Sequence, residues 1–333
     1  MKRFRILGLV AAGVAPLMVV AGCSSSPTSS AGAPAGGKVK IGVSFDLLNA
    51  TRQAEKTAII NAATADGYQV IFDVADQDAQ KQASQIQDLI NTQHVSGVIA
   101  IAQDGKQISS SISLAKAHHV PFIAIDRAVA DQGDITFQVT SNPVGDGKLA
   151  GAQFAQQAKT TPLKVLELVG GLTDQNAIGR RDGFNSALAG NANASIVSQV
   201  PTNWDPAQAL DGTSNALQKN PDINAIFIPS DFLLASVESA LTSAGRLAPI
   251  GSAKHVFIVT IDGDQNGCKA LRDKMIDADI ATRVDEFGKQ AVAAIGASLQ
   301  GKAAGTKDAQ TAGLMLDQAN FATTSSQVWG CDV

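Results

Sequence analysis

Acids and an arginine recur at one kind of place in this chain, directly after short β-branched runs. Asp126-Arg127 follows Pro121–Ile125, Ser230-Asp231 follows Ala225–Ile228, and Asp262-Gly263 follows Val256–Ile261. A carboxylate only accepts hydrogen bonds and a guanidinium only donates them, so such a set suits a ligand that does both. Taken singly, each pair reads equally well as a turn, because Asp and Gly favour turns for backbone reasons. Together, at the same end of successive strands, they predict a polar cleft.

Other chemistry finds less footing. Asp262-Gly263-Asp264-Gln265-Asn266-Gly267 matches the start of a calcium loop, with Asp273 at its twelfth position, yet it follows an apolar strand rather than a helix. The strand-end turn is the better reading, and no metal is expected. His94, His118, His119 and His255 have no ligand spacing to one another. No G-x-S-x-G, P-loop or G-x-G-x-x-G occurs. Gly170-Gly171 lacks the Lys and Ser/Thr that phosphate binding requires. Nothing marks an acid–base carboxylate pair, so neither catalysis nor a cofactor is expected.

The elements that would position these residues alternate. Further apolar runs lie at Val39–Phe45, Gln69–Val74, Gly97–Ala102, Ile135–Val139, Lys164–Val169 and Ile196–Val200. Between them stand Ala- and Gln-rich segments such as Ala79–Asn91 and Ile108–His119, with apolar residues at helical spacing. Val39–Phe45 and Val256–Ile261 are nearly continuous apolar stretches, as strands buried on both faces should be. Such alternation predicts an α/β fold with parallel sheets and right-handed crossovers. Nine or ten β-α units exceed one open sheet, so two doubly wound lobes are expected, with ligand at the carboxyl edges of the strands.

The N-terminus sets the location. Lys2, Arg3 and Arg5 precede an apolar run from Ile6 to Val20, and Val20-Ala21-Gly22-Cys23 follows. The apolar core is too short to span a bilayer and reads as a secretory signal peptide over residues 1–22. The pattern resembles the lipobox of bacterial lipoproteins, which implies lipidation of Cys23 and attachment to the extracytoplasmic face of the cell membrane. Residues 23–37 then form a flexible tether rich in Ser, Pro, Ala and Gly. Some 296 of the 333 residues remain, enough for two domains. Without the signal, 23 cations face 30 acids, a formal charge of −7; this excludes a nucleic-acid footprint. Cys268 and Cys331 remain as a pair in an oxidising compartment, so a disulfide that ties the C-terminus down is expected, with two buried thiols as the alternative.

The chain resembles the ribose- and galactose-binding type of solute-binding protein, the receptor component of bacterial sugar ABC importers. The resemblance rests on "IGVSFDLLN" at Ile41–Asn49, "VPFIAIDR" at Val120–Arg127 and "TSNPVGDGKLAG" at Thr140–Gly151. "GRRDGF" at Gly179–Phe184, "NAIFIPSD" at Asn224–Asp231 and "VTIDG" at Val259–Gly263 complete it. It implies two lobes joined by three hinge crossings, one holding 38–141 plus 286–311, the other 142–285 plus 312–333. Cys268 and Cys331 would then share a lobe.

The resemblance also implies a ligand set. Asp126 and Arg127 match the pair that binds adjacent sugar hydroxyls, Arg180 the second-lobe arginine, and Trp204 the aromatic that stacks on the sugar. Asp262 matches the acid of an Asp-Gly turn, Asp285 falls near a hinge glutamine, Ser230 stands where Asn is frequent with Asp231 beside it, and Asn49 opens the polar pair whose second member is Ala50. The departure is at Thr51, Arg52 and Gln53, where ribose-type relatives carry aromatics. Arg52 is either surface-exposed or a polar wall of the cleft. A polar wall favours a flexible, hydroxyl-rich guest, so a neutral acyclic sugar alcohol such as xylitol or threitol is expected ahead of a pentose or hexose. The expected partners are that solute and an ABC permease, with a monomeric chain. A lactose-repressor-type regulator would need a helix-turn-helix in place of the signal peptide, a glycosidase two carboxylates across a bond, and a sensing receptor a docking partner.

Overall fold

The computed structural model describes residues 38–130, 133–304 and 307–331. The segments expected to be a signal peptide and a tether, with Cys23, lie outside the described residues. The first half alternates strictly: β1 (Lys40–Phe45), α1 (Ala50–Ala65), β2 (Gln69–Val74), α2 (Ala79–Asn91), β3 (Gly97–Ala100), α3 (Ser109–Ala117) and β4 (Phe122–Asp126). After β5 (Phe137–Ser141) come α4 (Pro143–Gln157), β6 (Leu163–Val169), α5 (Gln175–Leu188), β7 (Ala194–Pro201), α6 (Pro206–Lys219) and β8 (Ala225–Phe227). A 3₁₀ turn at Asp231–Leu233 leads into α7 (Leu234–Ser243), β9 (Phe257–Asp262), α8 (Gln265–Arg272), β10 (Ala278–Ala281) and α9 (Val284–Leu299). Two short strands, β11 (Asp308–Thr311) and β12 (Leu314–Asp317), precede α10 (Phe321–Thr324).

These strands form two sheets, ordered β11-β5-β4-β3-β1-β2 and β12-β10-β9-β8-β6-β7. Every described pairing is parallel except β10 with β12. Both faces of each sheet are covered, which is why the strands read as unbroken apolar runs. In the first lobe, Ile41, Val43 and Phe45 pack with Ile59 of α1 and Phe287 and Ile295 of α9. The opposite face meets Ile86 and Leu89 of α2 and Ile112 of α3. In the second lobe, Val165, Phe227 and Val259 meet Phe154 of α4 and Phe184 of α5, while α6 and α7 cover the other side. The chain passes between sheets three times: from β5 to α4, from β10 to α9, and from β11 to β12.

β10, β11 and β12 were not among the apolar runs of the sequence. Each has four residues, and "DAQT" of β11 is half exposed at a sheet edge, so neither length nor alternation marks it. The irregular run at Ile135–Val139 is a strand displaced to Phe137–Ser141. Cys268 of α8 and Cys331 are joined, with Cα atoms 5.3 Å apart. The bond staples the C-terminal segment onto the second lobe. No described helix is long and apolar enough to cross a membrane.

Candidate functional site

Both sheets point their carboxyl edges into one gap, and its lining comes from the turns at those edges. Arg52 follows β1, with Asp46 buried behind it, Asp126 and Arg127 end β4, Asp174 caps α5, and Asn176 and Arg180 lie on α5. Trp204 lies in the turn after β7, Ser230 after β8, and Asp262 closes β9. The gap between them leaves about 40 Å³ open to the centre of a water-sized sphere.

The first-lobe wall is a charge network centred on Arg52. Its Nε donates to Asp46 Oδ1 at 3.0 Å, one terminal nitrogen to Glu55 Oε2 at 2.9 Å, and the other to Asp126 Oδ2 at 2.8 Å. Burial pulls the guanidinium pKa down, but Asp126, Glu55 and Asp46 outweigh it and hold it well above its usual range. Glu55 is fully buried, and desolvation pushes its carboxyl up to about 8 against the opposing pull of Arg52. Arg127 pairs with the other oxygen of Asp46 at 2.8 Å. Asn49 lines the gap while its side chain caps α1, accepting from the backbone N–H of Arg52.

The second-lobe wall is centred on Asp262. Arg180 donates to Asp262 Oδ1 at 2.8 Å and to the carbonyl of Pro229 at 2.6 Å. Ser230 donates its hydroxyl to Asp262 Oδ2. Burial raises the Asp262 pKa, with Arg180 opposing it. The Trp204 indole lies over Gly170 and donates from Nε1 to Asp174 Oδ2 at 2.7 Å. A Cβ on Gly170 would come within 2.2 Å of that ring, which accounts for the first glycine of the pair that no phosphate motif explained. The walls meet directly: Arg127 reaches Asp174 at 3.1 Å, and Asn176 Nδ2 reaches both oxygens of Asp126 at 3.2 Å.

A model of the periplasmic binding protein domain matches residues 41–303. The chain belongs to that family. This periplasmic binding protein is 29% identical over 291 residues to the ribose import binding protein of Bacillus subtilis, covering 86% of its own length and 91% of that relative. It is 25% identical over 237 residues to the xylitol-binding protein of Mycolicibacterium smegmatis, covering 70% of itself and 64% of that protein. Among solved structures, an ABC transporter solute-binding protein from Mycobacterium smegmatis with bound glycerol superposes with a TM-score of 0.79 at 22% identity, covering 87% of this chain and 97% of that one.

Of the positions expected at the site, Asn49, Arg52, Asp126, Arg127, Arg180, Trp204, Ser230 and Asp262 lie together on the lining of this binding protein's gap. Two positions require correction. Asp231 turns away from the gap beneath the Asp262 loop, accepting from Thr260 Oγ1 and from the backbone N–H of Asp264, both at 2.7 Å. Burial and the neighbouring Asp279 push its pKa well up, so it acts as an inner strut. Asp285 sits on the outer surface in the first turn of α9, paired with Lys289 at 2.9 Å; burial would raise its pKa, but Lys289 and Arg283 outweigh it and lower it. Ala50 and Gln53 likewise line an outer groove.

Sequence reasoning missed Asp46, Glu55, Asp174 and Asn176. Asp46 follows the first apolar run and satisfies the strand-end criterion that selected Asp126 and Asp262. Asp174 carries an N-cap signature ahead of α5. Glu55 and Asn176 carry no local signal. Among the described residues, no group of three or more His, Cys, Asp or Glu is placed to hold a metal ion.

Proposed function

We infer that this binding protein captures a small neutral polyhydroxylated solute between its lobes and delivers it to the permease of an ABC importer, without chemical conversion. Arg52 carries the reading: its guanidinium is paired with Asp46, Glu55 and Asp126. Arg180 is likewise committed to Asp262, and Arg127 to Asp46 and Asp174. Among the described residues, each arginine lining the gap already faces a carboxylate, so an anionic sugar would compete with those acids and fits less well. Each paired carboxylate and guanidinium can still share a bond with a hydroxyl, which donates and accepts at once.

The shape of the gap favours an acyclic sugar alcohol of the xylitol or threitol kind over a ring. One wall offers the Trp204 indole to C–H groups, whereas the opposite wall presents Arg52, Asn49 and Thr51. With about 40 Å³ open to the centre of a water-sized sphere, the gap is narrow. A longer guest must therefore enter as the lobes part, and a flexible chain threads the paired groups more readily than a rigid ring. The names of the relatives, for ribose, D-apiose and xylitol, all refer to small neutral polyhydroxylated solutes, and xylitol alone of the three is an acyclic alcohol. Monosaccharide capture is the second reading, favoured by Trp204. Lipid anchoring through Cys23 would keep the protein at the extracytoplasmic membrane face.

A thermal-shift screen against pentoses, hexoses and four- to six-carbon alditols tests the reading, because a ligand of the folded form raises the melting temperature. Alditols should give the largest shift. A response confined to phosphorylated or acidic sugars would refute it.

A further inference from the structure

We propose that Asp174 is the gate of the chamber, a positioning residue that joins the two lobes and aims Trp204 in the same contact. The carboxylate divides its work between its oxygens. Oδ1 accepts from the backbone N–H of Asn176 and caps α5, fixing the side chain to the second lobe. Oδ2 accepts from Trp204 Nε1 at 2.7 Å and from Arg127 of the first lobe at 3.1 Å.

The position of this cluster makes it a partition. Arg127 and Asp174 line the inner chamber, and the same two side chains line both recesses outside it. One recess runs past Gln103, Gly105 and Ile178, the other past Leu47, Gln77 and Asn203. The Arg127–Asp174 pair thus stands on the border of the chamber with both recesses, joined on one side by Leu47 and Trp204. Both side chains are about nine-tenths buried, so ions reach these two charges mainly when the lobes part, and high salt favours the parted form. Asn176 reaching Asp126 braces the same seam from inside the chamber. Closure thus rests partly on contacts between protein groups alone. Parting the lobes removes Arg127 from Oδ2 and releases one of the two donors that hold the indole-binding oxygen in place.

The inference rests on the reading of two closing lobes, but its test needs no solute. Spin labels introduced at exposed Ser84 of α2 and Ser239 of α7 report the distance between lobes by pulsed electron resonance in plain buffer. Asp174→Asn keeps one oxygen for the cap, since Asn is an equally good N-cap, and replaces the other with an amide that repels both donors. The population of the longer, open distance should rise by roughly tenfold, the value of one charge-assisted bond. In the unaltered protein, 1 M salt should move the distribution the same way, with no further effect on the variant. Arg127→Gln should reproduce the shift and add nothing when combined with Asp174→Asn. Superposable distributions for the unaltered protein and Asp174→Asn would overturn the gate, as would an equal salt response in both. A failed solute screen would leave these distances untouched, so the two failures are distinguishable.

Discussion

Three side chains of the chamber hang from backbone that non-glycine residues seldom adopt. Asp126 has φ 61°, Trp204 60° and Asp262 130°. Such conformations cost on the order of 1–3 kcal/mol each and persist where surrounding contacts over-determine them. Here each residue ends or follows a strand, and the unusual φ turns its side chain into the gap instead of along the sheet. Asp126→Ala should weaken solute binding by one to a few orders of magnitude in calorimetry, because Arg52 and Asn176 lose their shared acceptor; an unchanged dissociation constant would exclude Asp126 from the site. Gly170→Ala places a methyl group in the Trp204 ring. Its binding should fall at least about tenfold with the cooperative unfolding transition retained, and indole emission should shift in the unliganded protein. Identical emission would mean that the ring does not rest on Gly170.

Arg180 owes its position to the packing of two helices. A Cβ on Gly147 of α4 would come within 2.1 Å of the carbonyl of Arg180, and one on Gly183 of α5 within 2.2 Å of the carbonyl of Val144. Backbone meets backbone along this crossing, so the guanidinium is aimed at Asp262 by main-chain contact rather than by its flexible stem. "GDGKLAG" and "GRRDGF" are the two halves of that seam, a physical reason for these motifs to accompany the site. Gly147→Ala should lower stability by about 1–3 kcal/mol through overpacking, read as a fall in the urea midpoint at constant slope. A midpoint within error would show that the helices can separate freely. The Cys268–Cys331 bond closes a separation of 63 residues, for which the chain-entropy model gives about 4 kcal/mol. Since both ends lie in the second lobe, Cys331→Ser should lower the melting temperature while leaving affinity intact. A loss of affinity without a change in melting would show the opposite division.

Across the whole molecule, buried acids set the response to pH. Burial raises Glu55 and Asp279 to about 8, Glu167 to about 7 and Asp146 to about 6. The folded state holds these protons more tightly than the unfolded chain. Their contribution is therefore fully present below the ordinary carboxylate range and is lost as pH rises through about 6 to 8. Melting temperature should decline from pH 5 to pH 8.5. Asp279→Asn should flatten the upper part of that decline, and a slope identical to that of the unaltered protein would remove Asp279 from the account. Arg52 and Arg180, held above their usual range by facing carboxylates, keep their charge throughout.

Strand and helix order, the two-lobe plan and the polar edge were legible in the chain, because a parallel sheet covered on both faces demands unbroken apolar runs and the turns after them must be polar. Asp126, Arg127 and Asp262 could be chosen on that ground. Adjacent residues at one edge were another matter. Ser230 faces the gap and Asp231 faces inward, since the 3₁₀ turn that begins at Asp231 reverses which side chain meets Asp262. Asp285 was lost for a similar reason: the rotation of α9 is set by packing on α1, which turns the first-turn acid outward to Lys289. Whether Arg52 was surface or wall depended on Asp46, Glu55 and Asp126 converging from two strands and a helix. Residue type and period are properties of the chain; which side chains meet across a gap is a property of three-dimensional packing, and only the folded molecule decides it.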